Sequence, residues 1–331
     1  MSLYTLARTL LFRIEPERAH AIGLKLLRFL GNMRVDEPSL RAETSLGDLD
    51  NVIGLAAGYD KTGEYLESLE KLGFGYLVAG TVTRLPWPGH PKPRIIRDSG
   101  QRALVNALCF PNPGLDQFIR NISSQRVSVP VVASISGQTI RDIIECYKKL
   151  QPRVSGIELN LSSPNTPKLR DLREPEAFKE LATEMASHKR KPTYLKVLPY
   201  RDRSQFVEVL QLVKTWSELG FEGATASNTL LIDESRLATG TGGLSGPPLF
   251  PRTVEAIRAI RNVVPISFEI NAVGGISSGK DVVAALKEGA TTVQIFTAVV
   301  FDGPTLIHRI LRELSKLMST PATLVQHAKI S

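Results

Sequence analysis

The stretch GIELNLSSPNTPKLR (156–170) joins an apolar run to a polar loop. The run GIELNL (156–161) has the length and composition of a buried β-strand. The segment carries Asn160 and Asn165 with several hydroxyl groups, but no His, Cys or Asp. Small uncharged polar groups at a strand end predict a site that forms hydrogen bonds to the polar edges of a ligand. They do not show which residue would act as a catalytic base.

Similar apolar runs recur along the chain and alternate with helical patterns. They are VIGLAA (52–57), YLVAG (76–80), PVVASI (130–135), TYLKVL (193–198), GATAS (223–227), PISFEINAVGG (265–275) and TVQIF (292–296). Amphipathic stretches such as RDIIECYKKL (141–150) separate most of them. Eight strand runs alternating with helices predict the α/β class and a closed (β/α)₈ TIM barrel. An open doubly wound sheet is disfavoured, because no GxGxxG follows the first run.

Composition restricts the class of protein. The chain has 331 residues, 42% of them hydrophobic and 22% charged, which suits one large α/β domain with an extension. Two cysteines, Cys109 and Cys146, form no disulfide framework and indicate a reducing cytoplasm. The five histidines are scattered without metal-ligand spacing, so we expect no metal site.

The positive charge is concentrated at the amino terminus. The net charge is +8, and residues 1–34 contribute +4 of it, from six Lys or Arg against two Glu. Cationic segments attract nucleic acid or anionic lipid. Because no basic run is interleaved with aromatic residues, nucleic acid is the disfavoured partner.

Two amphipathic helices are predicted in this extension, over LYTLARTLLFRI (3–14) and PERAHAIGLKLLRFL (16–30). They form either a hairpin packed on the main domain or a pair whose apolar face enters the lipid interface. No apolar run is long enough to span a membrane, and no cleavage site for a signal peptide is evident. We therefore predict an extension over 1–40, a barrel over 41–319 and a loosely ordered tail over 320–331.

Polar groups at the strand ends indicate the kind of ligand. Lys61 and Lys196 lie in or just beyond apolar strands, where an unpaired ammonium is costly. The last two units carry AVGGIS (272–277) and Phe296-Thr297, whose backbone amides suit a phosphate. Between residues 84 and 112, a Pro-rich segment and two predicted short strands around Asp-Ser-Gly form an insertion over the barrel mouth. This combination predicts a ligand that has a planar ring with amide-like edges and a phosphate, which is typical of flavin mononucleotide (FMN).

The same residues carry a resemblance to a known family. GLAAGYDKTGE (54–64), GFGYLVAGTVT (73–83), NLSSPNTPKLR (160–170), ASNTL (226–230), TGGLSGPPL (241–249), AVGGISSG (272–279) and VQIFTAVVFDGP (293–304) together resemble dihydroorotate dehydrogenase. EPERAHAIGL (15–24) resembles the helical extension of its class 2, which is membrane-associated and reduces quinone. The resemblance implies an FMN barrel that oxidises (S)-dihydroorotate to orotate in pyrimidine biosynthesis, in the cytoplasm and peripherally on an anionic membrane surface.

The resemblance also implies roles for individual residues. FMN would contact Ala57, Gly58, Lys61, Thr81, Ser134, Asn160, Lys196, Ser227, Gly246, Gly275, Phe296 and Thr297. The substrate would contact Lys61, Asn106, Ala107, Leu108, Cys109, Phe110, Asn160, Asn165, Asn228 and Thr229. Ser163 matches the catalytic base, which takes the C5 proton while hydride leaves C6 for the flavin. His20 and Arg97 match positions that line a quinone tunnel.

Some positions depart from the family pattern. Phe296 stands where class 2 usually has Tyr, Ser134 where Asn is usual, Ser227 where Thr is usual, and Cys109 where Gly is common. The seventh strand run also extends a few residues further than usual. The base, both lysines and the asparagines are all present, so the resemblance predicts an active enzyme and leaves its quinone preference open.

Three alternatives remain at this level. The same chemistry with a soluble electron acceptor would make the helical hairpin a structural or partner-binding element. Another FMN-dependent barrel oxidoreductase would use a different substrate. A catalytically silent flavin-binding scaffold is disfavoured, because the proposed base and substrate asparagines are present.

Overall fold

The computed structural model describes residues 3–162, 168–200 and 202–318. The strands of this part are β1 (Ala42–Thr44), β2 (Gly47–Leu49), β3 (Ile53–Leu55), β4 (Tyr76–Val82), β5 (Ile95–Asp98), β6 (Ala103–Asn106), β7 (Val131–Ile135), β8 (Gly156–Asn160), β9 (Thr193–Lys196), β10 (Gly223–Ala226), β11 (Leu230–Asp233), β12 (Thr241–Ser245), β13 (Glu269–Val273) and β14 (Thr292–Ile295). The predicted tail over 320–331 lies outside the described residues.

Helices cover the outside of the sheet and form the amino-terminal extension. They are α1 (Leu3–Leu11), α2 (Pro16–Leu27), α3 (Leu66–Glu70), α4 (Leu115–Ser123), α5 (Ile140–Leu150), α6 (Lys168–Asp171), α7 (Pro175–Ser187), α8 (Arg203–Glu218), α9 (Phe250–Arg261), α10 (Gly279–Lys287), α11 (Thr297–Asp302) and α12 (Leu306–Met318). Short 3₁₀ turns occupy Pro38–Leu40, Gln151–Arg153 and Pro247–Leu249.

Eight strands close into a barrel in the order β3, β4, β7, β8, β9, β10, β13 and β14. Neighbouring strands are parallel; between β7 and β8, for example, Ser134 lies opposite Glu158. Each of the eight predicted apolar runs overlaps one barrel strand, so the prediction of a (β/α)₈ barrel is confirmed. Such runs are identifiable because barrel strands are buried on both faces and read as continuous apolar segments.

The seventh run is shorter as a strand than its sequence indicates. β13 occupies only Glu269–Val273. The residues before it form a turn in which the amide of Phe268 donates to the carbonyl of Pro265 at 3.0 Å. The expectation of an extended seventh strand was therefore wrong, because the Pro at its start belongs to a turn.

A second sheet lies beside the barrel. β5 and β6 pair antiparallel around the predicted Asp-Ser-Gly turn, with Ile95 opposite Asn106. β12 adds to β6, and β11 adds to β12, to give a four-stranded antiparallel sheet. The hairpin of β11 and β12 was not predicted, because the glycines in TGGLS (241–245) interrupt the apolar pattern and its pairing partner β6 lies far away in the chain. The short hairpin of β1 and β2 was also missed.

The amino-terminal helices pack on the barrel with one face only. Glu15 caps α2 by accepting from the amides of Glu17 and Arg18, and Pro16 occupies the first helical position. Leu24 and Leu27 are buried in the same hydrophobic cluster as the barrel helices. Leu10 and Phe29 are 66% and 85% exposed. Among the described residues, no helix combines the length and the hydropathy needed to cross a membrane.

Candidate active site

One cavity of about 720 Å³ extends from the barrel mouth to the space between α1 and α2. Its walls include, from the residues predicted to contact FMN, Ala57, Gly58, Lys61, Thr81, Asn160, Lys196, Ser227, Gly246, Gly275, Phe296 and Thr297. They also include Asn106, Leu108, Cys109, Phe110, Asn228 and Thr229 from the predicted substrate set, and His20 and Arg97 from the predicted quinone tunnel. Residues from distant parts of the sequence thus share one space.

In the described part of the chain, two predicted residues do not lie on this wall. Ser134 and Ala107 are fully buried behind it. Ser134 still contacts the site, because its hydroxyl lies 3.0 Å from that of Thr81. Ser163 and Asn165 lie outside the described residues.

A chain of hydrogen bonds joins polar side chains at the inner end of the cavity. The amide of Asn160 donates to the hydroxyl of Thr81 at 3.0 Å. The hydroxyl of Ser162 donates to Asn160 Oδ1 at 2.8 Å, and Asn228 Nδ2 donates to Ser162 Oγ at 2.9 Å. These bonds fix both asparagine amides in orientation, so their remaining donors and acceptors are presented at defined angles.

Ser162 was not assigned a role from the sequence. It is fully buried and links Asn160 on β8 to Asn228, which follows β10. Its position directly after the strand was visible in NLSS, but nothing local indicates that its hydroxyl reaches across two strands. Ser162 therefore holds the predicted substrate asparagines in place from behind.

Lys61 brings a positive charge to the inner end. Its ammonium donates to the carbonyl of Gly58 at 2.5 Å. Burial lowers the pKa of Lys61 to about 8, although the carboxylates of Glu17 and Asp60 act in the opposite direction. Asp60 shapes the loop by accepting from the amides of Gly63 and Tyr65, each at 2.8 Å. A lysine with this pKa is largely charged at neutral pH and can attract a carboxylate.

Glycines let the backbone approach the cavity where a phosphate was predicted. Gly275 has φ +77°, and a Cβ there would lie 2.6 Å from the amide nitrogen of Phe250 at the start of α9. The hydroxyl of Thr297, the first residue of α11, donates to that of Ser245 at 2.9 Å. The amide of Thr297 has no acceptor within its helix, because it belongs to the first turn. These backbone groups and hydroxyls suit an anionic group of a phosphate's size.

The predicted substrate loop Asn106–Phe110 has an unusual backbone. Cys109 and Phe110 both have φ +55°, in the left-handed region that favours glycine. This conformation accounts for the glycine that is common at the position of Cys109. Asn106 Nδ2 donates to the carbonyl of Gly243 at 3.3 Å, which ties the loop to β12. A glycine would adopt the left-handed φ of Cys109 with less strain than a side chain with a Cβ.

At the outer end, polar side chains bond to backbone carbonyls. His20 Nε2 lies 2.7 Å from the carbonyl oxygen of Tyr59, so Nε2 carries the hydrogen. Burial and the nearby charge of Lys61 lower the pKa of His20 to about 4, so its ring is neutral at pH 7 and Nδ1 is an acceptor. Arg97 donates to the carbonyls of Leu11 at 3.0 Å and of Ile14, at the end of α1.

Aromatic rings complete the outer end. Tyr59 packs edge-on against His20, with ring centroids 4.9 Å apart, and against Phe296 at 5.2 Å. The guanidinium of Arg97 lies over the ring of Phe12 at 4.7 Å. Tyr59 was not predicted as a site residue, because nothing in its loop sequence indicates that α2 packs over it. Among the described residues, no cluster of His, Cys, Asp or Glu could hold a metal ion.

Comparisons with known proteins agree with this geometry. A family model described as Dihydroorotate dehydrogenase matches residues 39–318. A protein of Coxiella burnetii (strain Dugway 5J108-111), named dihydroorotate dehydrogenase (quinone), is 34% identical over 341 residues, covering 95% of this chain and 97% of the relative. One of the same name from Flavobacterium lutescens is 33% identical over 353 residues, covering 98% of this chain and 100% of the relative.

Solved structures show the same architecture. The crystal structure of DHODH in complex with ferulenol from Eimeria tenella matches with a TM-score of 0.84 at 26% identity, covering 93% of this chain and 92% of that chain. The ligand-free type from the same organism matches with a TM-score of 0.83 at 25% identity, covering 92% of this chain and 95% of that chain. With its sequence matches, its barrel and its cavity in agreement, this chain belongs to the dihydroorotate dehydrogenase family.

Proposed function

We propose that this chain oxidises (S)-dihydroorotate to orotate with bound FMN and passes the electrons to a quinone at a membrane surface. The observation that carries the proposal is one continuous cavity, whose inner end is polar and whose outer end opens between two amphipathic helices. The substrate and the electron acceptor thus reach one cofactor from opposite ends. The names of the curated relatives, dihydroorotate dehydrogenase (quinone), support both reactants.

The inner wall fits FMN. Gly246, Gly275 and Thr297 would hold the phosphate through backbone groups, and Thr81, Asn160 and Lys196 would face the ring. When bound, FMN supplies the acceptor for the hydride from C6 of dihydroorotate and the donor of two electrons to the quinone. The protein's part is to orient the ring and to exclude water.

The substrate fits beside the ring. Orotate is a planar ring with imide edges and a carboxylate. Asn160 and Asn228, held by Ser162, offer amide donors and acceptors to the imide edges. Lys61 offers positive charge to the carboxylate. Ser163, which follows Ser162 directly, would accept the C5 proton and pass it on to water or to a neighbour such as Thr166, because a serine has little basicity of its own.

The outer end fits an apolar acceptor. Leu11, Phe12, Leu26 and Leu27 line it, and His20 offers an acceptor nitrogen. Exposed apolar side chains lie along the helical extension, at Leu10 on α1, Leu26 on α2 and Phe29 just beyond α2. Because apolar side chains flanked by basic residues bind at the lipid interface, the hairpin would seat the cavity mouth on an anionic membrane. The region 1–40 would then act as the quinone entrance to the FMN barrel.

The first experiment tests the cofactor and the substrate. Purified protein is expected to show the visible absorbance of a flavin, extractable as FMN. Adding dihydroorotate without oxygen should bleach this absorbance, while an unrelated hydroxy acid should not. Protein that neither contains nor takes up FMN would end the cofactor proposal. Bound flavin that stays oxidised with dihydroorotate would favour another barrel oxidoreductase.

The second experiment tests the membrane contact. Replacing Leu10 and Phe29 together by Glu should weaken binding to anionic vesicles and slow turnover of vesicle-bound quinone, with unchanged bleaching by dihydroorotate. Val207→Glu is the matched control, since Val207 is 59% exposed on α8, away from the hairpin. Equal quinone turnover by the double variant and the control would favour a soluble acceptor instead.

A further inference from the structure

The barrel interior contains two buried carboxylates that differ in their partners. Glu269 on β13 accepts from the amide and hydroxyl of Ser45 at 2.6 and 2.8 Å, and from the hydroxyl of Tyr194 at 2.8 Å. Glu158 on β8 is 1% exposed, and neither of its oxygens has a hydrogen-bond partner among the described residues. The barrel can therefore satisfy a carboxylate by hydrogen bonds, but it does not do so at Glu158.

Among the described residues, Glu158 has one charged neighbour in contact. Its Oε1 lies 3.5 Å from the ammonium of Lys196, which is itself 5% exposed. Lys196 lines the cavity, whereas Glu158 lies behind it and does not. Glu158 and Asn160 alternate with Leu159 along β8, so both point to the same face of the strand. The carboxylate thus lies one layer below the site proposed for the flavin ring.

Such a pair is poorly explained by stability alone. A buried ion pair without supporting hydrogen bonds recovers little of its desolvation cost, and apolar residues of similar volume are often at least as stable. The arrangement instead places a fixed negative charge directly behind the cation that faces the cofactor.

We propose that Glu158 is a positioning residue that holds Lys196 and sets the reduction potential of the bound flavin. This inference rests on the proposed function. In the proposed reaction, dihydroorotate would give up a hydride, whose two electrons bound FMN would take up, and a proton, which Ser163 would accept. Negative charge therefore increases beside Lys196. Glu158 offsets part of the positive charge of Lys196. Reduced flavin is therefore less stable than it would be beside an uncompensated ammonium, and it gives its electrons to the quinone more readily.

The test is the midpoint potential of the flavin-loaded protein, titrated with a chemical reductant in the absence of dihydroorotate. Glu158→Gln removes the charge and keeps the shape. We expect its potential to shift positive by at least about 30 mV, which is a tenfold change in the equilibrium constant of a two-electron couple. Glu158→Leu provides a second neutral replacement, with the same expected shift, if the Gln variant does not fold.

Two controls separate charge from packing. Thr225→Val removes another buried polar group without a partner, from the residue opposite Lys196 on β10, and should leave the potential unchanged. Glu158→Asp keeps the charge, so its midpoint potential should lie nearer to that of the parent protein than to that of Glu158→Gln. The proposal would be overturned if the midpoint potential of Glu158→Gln were unchanged or more negative, or if either control shifted the potential by as much as Glu158→Gln. Because the reductant is not the substrate, a failure of dihydroorotate to bleach the flavin is a separate result.

Discussion

The two ends of the cavity use their polar side chains in different ways. At the inner end the amides and hydroxyls bond to one another, as Asn160 does to Thr81 at 3.0 Å, and only the ammonium of Lys61 is described there on a backbone carbonyl. At the outer end they bond to backbone carbonyls, as His20 does to Tyr59 and Tyr4 does to Val300, each at 2.7 Å. The inner end keeps side-chain donors and acceptors for a ligand, whereas the outer end uses its donors to hold the helices. The inner end thus suits a polar ring, and the outer end an apolar one.

The largest effect is expected from a substitution that disables only the reaction at the inner end. Ser163→Ala should slow bleaching of the flavin by dihydroorotate by about 10²–10⁴-fold, because it removes the proposed proton acceptor. FMN content and reoxidation by quinone should stay near the parent values. Stopped-flow absorbance under anaerobic conditions measures both half-reactions. Parent-like bleaching would remove Ser163 as the base and with it the proposed division of labour.

The pH dependence of the two half-reactions should differ. Burial lowers the pKa of Lys61 from its ordinary value of 10.5 to about 8, so the ammonium loses its proton as pH rises through that value. Since only the charged form attracts the substrate carboxylate, kcat/KM for dihydroorotate should fall by about tenfold per unit above roughly pH 8. The corresponding constant for quinone, which has no carboxylate, should not show this limb. A flat dihydroorotate profile to roughly pH 9.5 would contradict the assignment.

The smallest effect should fall on the outer end. Arg97→Lys cannot keep all the hydrogen bonds that Arg97 donates to the carbonyls of Leu11, Phe12 and Ile14. The end of α1 should loosen, and KM for quinone should rise roughly threefold to tenfold, since one such bond contributes ~1 kcal/mol. Bleaching by dihydroorotate should not change.

Arg258→Lys is the matched control for this prediction, because its ion pair with Glu288 lies on the exposed surface of α9. It should leave both half-reactions at their parent rates. Slower bleaching in Arg97→Lys would show that Arg97 also acts on the inner end.

Sequence patterns were most informative where structure is local. The eight barrel strands were predictable, because burial on both faces leaves continuous apolar runs such as GIELNL. The hairpin of β11 and β12 was not, because its glycines weaken the pattern and its stability comes from pairing with β6. For the site, strand ends indicated Lys61 and Asn160. They could not indicate that Ser162 reaches Asn228, which depends on the closure of the barrel.

The packing of the amino-terminal helices α1 and α2 on the barrel also limits what the sequence could show about the outer end. The helical periodicity of 16–30 predicts an apolar face, but not which residues of the barrel it covers. The position of Tyr59 between His20 and Phe296 follows only from that packing. Phe296, which stands where class 2 usually has Tyr, therefore packs beside the phenol ring of Tyr59 from the neighbouring loop.

The shared core of hairpin and barrel has a practical consequence for protein engineering. Leu24 and Leu27 belong to the same buried cluster as Leu55 and Leu69 of the barrel domain. Cutting the chain after the hairpin would uncover part of that core and favour aggregation. A better-behaved form for crystallisation or inhibitor screening would keep the whole chain and carry polar substitutions only at outward positions such as Phe29.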